Sequence, residues 1–158
     1  MNQVEINKSM KLSEHFTLGE LTKPSYHTLD GNIPSRVAIE NLKRLCIWLE
    51  LLRTQYNDRY GDGVGDIPII INSGFRSEEV NRKCGGAKGS NHLTGCAVDI
   101  KCYGPEQMIR MAGILLDIAD GTRRDFDEII QEKRGTTYWI HFAVRPKDNR
   151  RKILFDCR

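Results

Sequence analysis

At 158 residues the chain suits one domain with a single core, and 39% hydrophobic with 28% charged residues fits an ordinary soluble globule rather than a disordered or fibrous chain. The net charge of +3 is too small to argue for nucleic acid and allows at most a mild attraction to an acidic polymer or cell surface. Five cysteines, at 46, 84, 96, 102 and 157, are odd in number and contain no Cys-x-x-Cys. This argues against a disulfide framework or a zinc knuckle and fits folding in a reducing compartment. The opening residues lack the apolar core of a signal peptide, and no run approaches a membrane span. Synthesis in the cytoplasm is expected, with release by another factor if the protein acts outside it.

Residues 1–11 are polar and read as a loosely held segment. Thr17-Leu18-Gly19-Glu20 is a capping box, with Phe16 and Leu21 as its hydrophobic staple, and starts a short helix. Pro24, Gly31 and Pro34 mark a loop over 22–34. Ser35 then caps a long helix to about Tyr56, whose stripe Ala38, Leu42, Leu45, Leu49, Leu52 and Tyr56 recurs at spacings of three and four, widened by Cys46 and Trp48. Asn57 to Asp66 reads as turns. Its acids lack the closing Glu of a calcium loop and serve as turn formers.

Ile67 to Ile71 reads as a strand, with Pro68 at its start or edge. Ser77 caps a short helix with Glu78 and Glu79 in its first turn, and Gly85-Gly86 ends it. Gly95 to Ile100 reads as a strand. Gly104-Pro105 opens a helix with stripe Met108, Met111, Ala112, Leu115, Ile118 and Ala119, stopped by Gly121. Phe126 to Glu132 and Trp139 to Val144 read as two strands of a hairpin, and the basic cluster from Arg145 to Lys152 as a solvated terminus. Helices and short strands without regular alternation predict an α+β fold, a small mixed or antiparallel sheet with flanking helices.

Three residues carry the chemistry. In the strand over Gly95 to Ile100, Val98 and Ile100 point one way, Ala97 and Asp99 the other, so Asp99 lies off the apolar side beside a small neighbour. His92 precedes it, and Gly95 between them permits close backbone approach or an unusual dihedral. His141 alternates with the apolar Ile140 and Phe142 in the same way. His92 and Asp99 alone also fit a polar loop residue and a surface carboxylate, and His141 alone fits a hydrogen-bonded strand histidine. Together, two His and one Asp without a fourth protein donor describe a catalytic zinc site whose fourth position belongs to water. Arg76, at a strand-to-helix junction just upstream, reads either as a site residue or as a surface salt bridge.

The pattern Ser-x-His-x-x-Gly-x-Ala-x-Asp at Ser90–Asp99 resembles the zinc motif of the D-alanyl-D-alanine carboxypeptidase family. That family includes D-Ala-D-Ala dipeptidases and phage endolysins, with the hedgehog domain as a structural relative. Ser73–Ser77, Val80-Asn81 and Gly85–Ala87 resemble its lead-in, Trp139–His141 its third-ligand strand, and Leu12–Leu21 the start of phage and prophage members. The resemblance implies a hedgehog/D-Ala-D-Ala peptidase-like fold with one zinc on His92, Asp99 and His141. It implies Arg76 for substrate binding and charge developing on the scissile carbonyl, and Ser90 for positioning substrate or the ligand loop. Several branches carry an acid three residues before the last His, where this chain has Tyr138, which would instead donate to an oxyanion. Trp139 is expected to line the substrate. Glu132 is then the general base if a loop over 133–138 places it opposite Trp139, diagonal to His141. Glu128 is the fallback.

The leading expectation is a monomeric zinc peptidase acting on peptidoglycan stem peptides, carboxypeptidase or endopeptidase, in a phage or prophage lysin. The alternatives are a zinc-bearing recognition module without turnover and a cysteine hydrolase using Cys84 or Cys96.

Overall fold

The order of the strands, rather than their number, builds the site. The computed structural model describes residues 6–158. Its elements are helices α1 (Leu18–Leu21), α2 (Arg36–Tyr60), α3 (Glu78–Lys83) and α4 (Pro105–Thr122), and strands β1 (Ile71–Ser73), β2 (Ala97–Cys102), β3 (Glu128–Arg134), β4 (Thr137–Ala143) and β5 (Lys152–Cys157). The strands form one mixed sheet in the order β1-β2-β4-β3-β5, antiparallel except for the parallel β3–β5 pair. The fold class is therefore the α+β arrangement expected.

Helices α2 and α4 pack on each other and cover one face of the sheet. The predicted stripe of α2 is buried along its length, and Trp48 meets Phe142 of β4 with ring centroids 5.4 Å apart. The Ser35 hydroxyl accepts from the Ala38 amide at 3.1 Å, a cap contributing about 1 kcal/mol. Each fully buried Leu contributes about 1.5–3 kcal/mol, so the stripe, more than the cap, holds α2 in place.

Several boundaries differ from expectation. Helix α2 runs on to Tyr60, whose ring carries the Arg110 guanidinium at 4.1 Å. Helix α4 passes through Gly121 and ends at Thr122, with Arg123 taking the left-handed conformation at φ 57°. The strand expected over 67–71 forms its ladder only from Ile71: Pro68 has no N–H to give, and the register with β2 shifts between Ile71 and Ser73. The hairpin is longer than predicted, with Gly135 and Thr136 alone forming the turn, yet Glu132 still faces Trp139.

The predicted loose segment, 1–11, lies partly outside the described residues. Over 6–11 the chain is tied down: Lys8 and Met10 carbonyls accept from the Gly19 and Leu18 amides at 2.8 Å, and Ile6 and Met10 pack on the core. The basic C-terminal region is likewise not a solvated tail. It forms β5, and Arg145 and Arg150 pair with the fully buried Asp127.

Candidate metal centre

The face of the sheet away from α2 and α4 carries the site. Opposed residues of neighbouring strands share a face, so the ladder sets side chains in rows. Asp99, His141 and Ile130 form the middle row, with Ser73 beside Asp99. Lys101, Trp139 and Glu132 form the row on one side, and Ala97, Ala143 and Glu128 the row on the other. Glu128 and Glu132, four residues apart on β3, both point to the face of His141.

His92 comes from a 3₁₀ turn, Asn91–Thr94, leading into β2. The Ser90 hydroxyl caps this turn by accepting from the His92 amide at 3.2 Å. Gly95 ends it at φ 74°, and a Cβ there would lie 2.5 Å from the Ala38 carbonyl oxygen of α2. Both reasons for a glycine at this position hold: a left-handed dihedral and close backbone approach. The segment 74–76 clamps His92 from the other side. Its Nδ1 donates to the Gly74 carbonyl at 2.7 Å, and its own carbonyl accepts from the Arg76 amide at 3.0 Å. Gly74 lies against α1, where a Cβ would sit 2.3 Å from the Leu21 oxygen, and Phe75 donates to that same oxygen at 2.8 Å. The short capped helix near the N-terminus thus fixes the tautomer of a histidine seventy residues on, leaving Nε2 as the free lone pair.

That Nε2 lies 3.3 Å from Asp99 Oδ1, and His141 Nδ1 lies 3.3 Å from the same oxygen. The two imidazoles meet edge to face, centroids 5.1 Å apart. A separation of 3.3 Å lies at the long end for a hydrogen bond. It matches a tetrahedral zinc, whose bonds of about 2.0–2.1 Å space the ligand atoms about 3.3–3.4 Å apart. His92, Asp99 and His141 are a set of donors able to hold one metal ion. Glu14, His15 and Glu50 form another donor set within the same reach, two of the three exposed, with no further feature that points to a ligand.

Electrostatics follow from this geometry. Burial opposes charge on Asp99, but the facing His92 and His141 outweigh it and hold the carboxyl well below its usual range. Burial also disfavours a charged His141, yet its bonds to Asp99 and Glu128 push it up to about 9. Glu128 accepts from His141 Nε2 at 3.2 Å, and this bond lowers its pKa. Glu132 behaves oppositely: burial, then the nearby charge of Asp99, raise it. The two glutamates on one face are tuned apart.

Arg76 is no surface salt bridge. Its Nη2 donates to Asp99 Oδ2 at 3.1 Å and its Nε to Ser73 Oγ at 3.0 Å, with most of the side chain buried. Trp139 lies on the site face beside His141. Tyr138 does not: it alternates with Trp139, packs on the core with Ile140 and Phe142, and opposes Lys133. The expected oxyanion donor is therefore corrected, because strand alternation turns its ring to the opposite face. Cys96 is buried against the Thr94 carbonyl and burial raises its thiol, leaving it a poor nucleophile. All five cysteines are free.

Residues not singled out from the sequence surround the site. Asn91 bridges Asp127 and Glu128, Arg145 reaches Asn91, and Arg150 embraces Asp127. One signal was present: a basic cluster needs acids, and Asp127-Glu128 opens the neighbouring strand.

This capped turn, ladder and three-donor set is the setting in which a model of the Peptidase M15 family matches residues 14–117, and the chain belongs to that family. The match takes in Arg76, His92 and Asp99 and ends before β3 and β4, so the glutamates and His141 are read from the structure. A relative in Streptomyces albus G, a zinc D-Ala-D-Ala carboxypeptidase, is 31% identical over 86 residues, covering 54% of this chain and 31% of that protein. The chain thus spans about a third of that relative's length.

Proposed function

We propose that the chain is a zinc-dependent peptidase that hydrolyses peptide bonds in peptidoglycan stem peptides. The observation that carries the reading is the convergence of three donors: His92 Nε2 and His141 Nδ1 each lie 3.3 Å from Asp99 Oδ1, and all three lie within 4.8 Å of one another. It is supported by family membership and by the likeness to a zinc D-Ala-D-Ala carboxypeptidase. Zinc held by His92, Asp99 and His141 would polarise the scissile carbonyl and acidify a water.

The chain's own residues do the rest. His92 and His141 present their lone pairs in tautomers fixed by Gly74 and Glu128. Glu132, two positions along the ladder from His141 and with its pKa raised by burial, takes a proton from the attacking water and returns it to the leaving amine. Arg76 already holds Asp99 with one nitrogen and Ser73 with another, and its remaining donors serve a substrate carboxylate or the oxygen of the scissile carbonyl. Ser90 acts on the ligand loop, through its cap on His92, and Trp139 supplies a flat wall beside the reacting bond.

A base on the site face favours an enzyme over a zinc-bearing recognition module. The lysin role, in which a cytoplasmically made enzyme reaches the wall after release by another factor, belongs to the same proposal and rests on the resemblance of Leu12–Leu21 to phage members. Among the described residues, no helix is long and apolar enough to cross a membrane. The test is digestion of purified muropeptides by the purified protein, with products weighed by mass spectrometry. Loss of a terminal D-Ala identifies a carboxypeptidase and an internal cut an endopeptidase. Cleavage that survives removal of zinc by a chelator refutes the metal reading.

A further inference from the structure

The carboxylate of Asp127 takes no part in the proposed chemistry, yet it is 0% exposed and heavily bonded. Arg150 gives it a backbone amide at 3.1 Å, Nε at 3.0 Å and Nη2 at 2.8 Å. Asn91 Nδ2 donates at 2.8 Å, and Arg145 Nε lies 3.2 Å away. Burial opposes its charge, and these donors still hold it down at about 2. Arg145 and Arg150 keep 33% and 46% of their side chains exposed, and an ion pair of this kind is by itself weak evidence of stabilisation.

The connections show what the pairing positions. The same Asn91 Nδ2 also donates to Glu128 Oε1 at 2.8 Å, and Arg145 Nε donates to Asn91 Oδ1 at 3.0 Å. Glu128 Oε1 in turn accepts from His141 Nε2 at 3.2 Å. Asn91 is the residue before His92. One amide group therefore joins two neighbouring carboxylates and is linked to both histidine ligands: to His92 along the backbone and to His141 through Glu128. The far end of the relay, Arg150, lies just before β5, so the C-terminal strand is connected to the metal site as well.

We infer that Glu128 is a positioning carboxylate that orients His141 for metal, and that Asn91, anchored by Asp127 and its two arginines, holds Glu128 in that role. A histidine whose distal N–H is held by a carboxylate is fixed in ring orientation and tautomer and is a better donor at its other nitrogen. Without Asn91, Glu128 is free to turn toward Arg150, which already lies 3.7 Å from its other oxygen. The inference rests on the metal reading of His92, Asp99 and His141 but not on any turnover.

The experiment is zinc affinity by competition with a chromogenic chelator, on the full chain, for wild type, Glu128→Gln, Asn91→Ala and the double variant, with metal-free melting curves alongside. Glu128→Gln is predicted to weaken zinc roughly 10–100-fold. Asn91→Ala should weaken it in the same direction, and the double variant should bind no more weakly than Glu128→Gln alone, because Asn91 acts through Glu128. A general loss of packing would lower the melting temperature and add across the pair. If Asn91→Ala does not fold, Arg145→Ala removes the donor that holds Asn91 Oδ1 and replaces it in the cycle. Zinc affinity unchanged in Glu128→Gln, or additive losses in the cycle, overturns the inference while leaving the metal site intact. Wild type that takes up no zinc overturns both.

Discussion

Glu132→Gln separates the proposed base from its neighbour on the same face. Glu132 opposes Trp139, which places it on the diagonal to His141 at about 7–8 Å between backbones. A glutamate side chain and one water span that gap. Glutamine keeps the shape and polarity, and Glu132 belongs to no donor set, so fold and metal content should be retained. Loss of an acid/base group costs roughly 10²–10⁴ in rate, or about 2.7–5.5 kcal/mol of barrier at about 1.36 kcal/mol per decade. KM should move far less, because proton transfer matters in the transition state. The assay is kcat and KM on a purified muropeptide at saturating zinc, with Glu128→Gln in parallel. Glu128→Gln should lose far less kcat than Glu132→Gln once zinc saturates, since its carboxylate is engaged by His141 and Asn91. Near-normal kcat in Glu132→Gln, or a dead Glu128→Gln with its zinc bound, refutes the assignment of roles.

Arg76→Ala should retain zinc and lose most turnover, because the guanidinium is buried beside Asp99 with donors to spare. Wild-type kcat/KM in this variant would reduce Arg76 to an ion pair that only supports Asp99. Gly95→Ala meets both a left-handed dihedral and a 2.5 Å approach to Ala38, and should cost about 2–4 kcal/mol, read as a melting temperature lower by roughly 5–15 °C. A melting temperature equal to wild type would mean that the turn relaxes away from α2. The histidine raised to about 9 makes a pH prediction. Its folded pKa lies above its unfolded value near 6.5, so the metal-free protein has the full benefit below that value and loses it as pH rises through about 9. Zinc runs the other way: it must displace the His141 proton, so affinity should rise by up to about tenfold per pH unit over this window, measured by chelator competition. A flat affinity profile would show that His141 is not a ligand.

The parts legible in the sequence were those where one local rule acts. The Ser35 cap and the three-four stripe predict α2 because packing and capping agree. The zinc motif was legible for a similar reason: Gly95 has a job in the backbone and Asp99 alternates with core residues. Glu132 facing Trp139 followed from counting across the turn, although the hairpin is longer than predicted. The misses have physical causes too. The alternation that exposed His141 also assigns Tyr138 to the core, and the family's acid at that position obscured it. Glu128 and Glu132 differ by four residues, so one register puts both on the site face; they were never alternatives of register. Strand β5 was hidden because Ile153, Leu154 and Phe155 form an unbroken apolar run among charges, with no period to read. The Asp127 relay joins residues far apart in the chain, and only the folded sheet brings them together.

Metal content is the most direct test of the central claim that His92, Asp99 and His141 form one zinc site. Purified wild type, exchanged into metal-free buffer and measured by plasma mass spectrometry, should hold one zinc per chain. His141→Ala should hold little or none while remaining folded by circular dichroism. Equal zinc in wild type and His141→Ala, or wild type without zinc after reconstitution, would contradict the account.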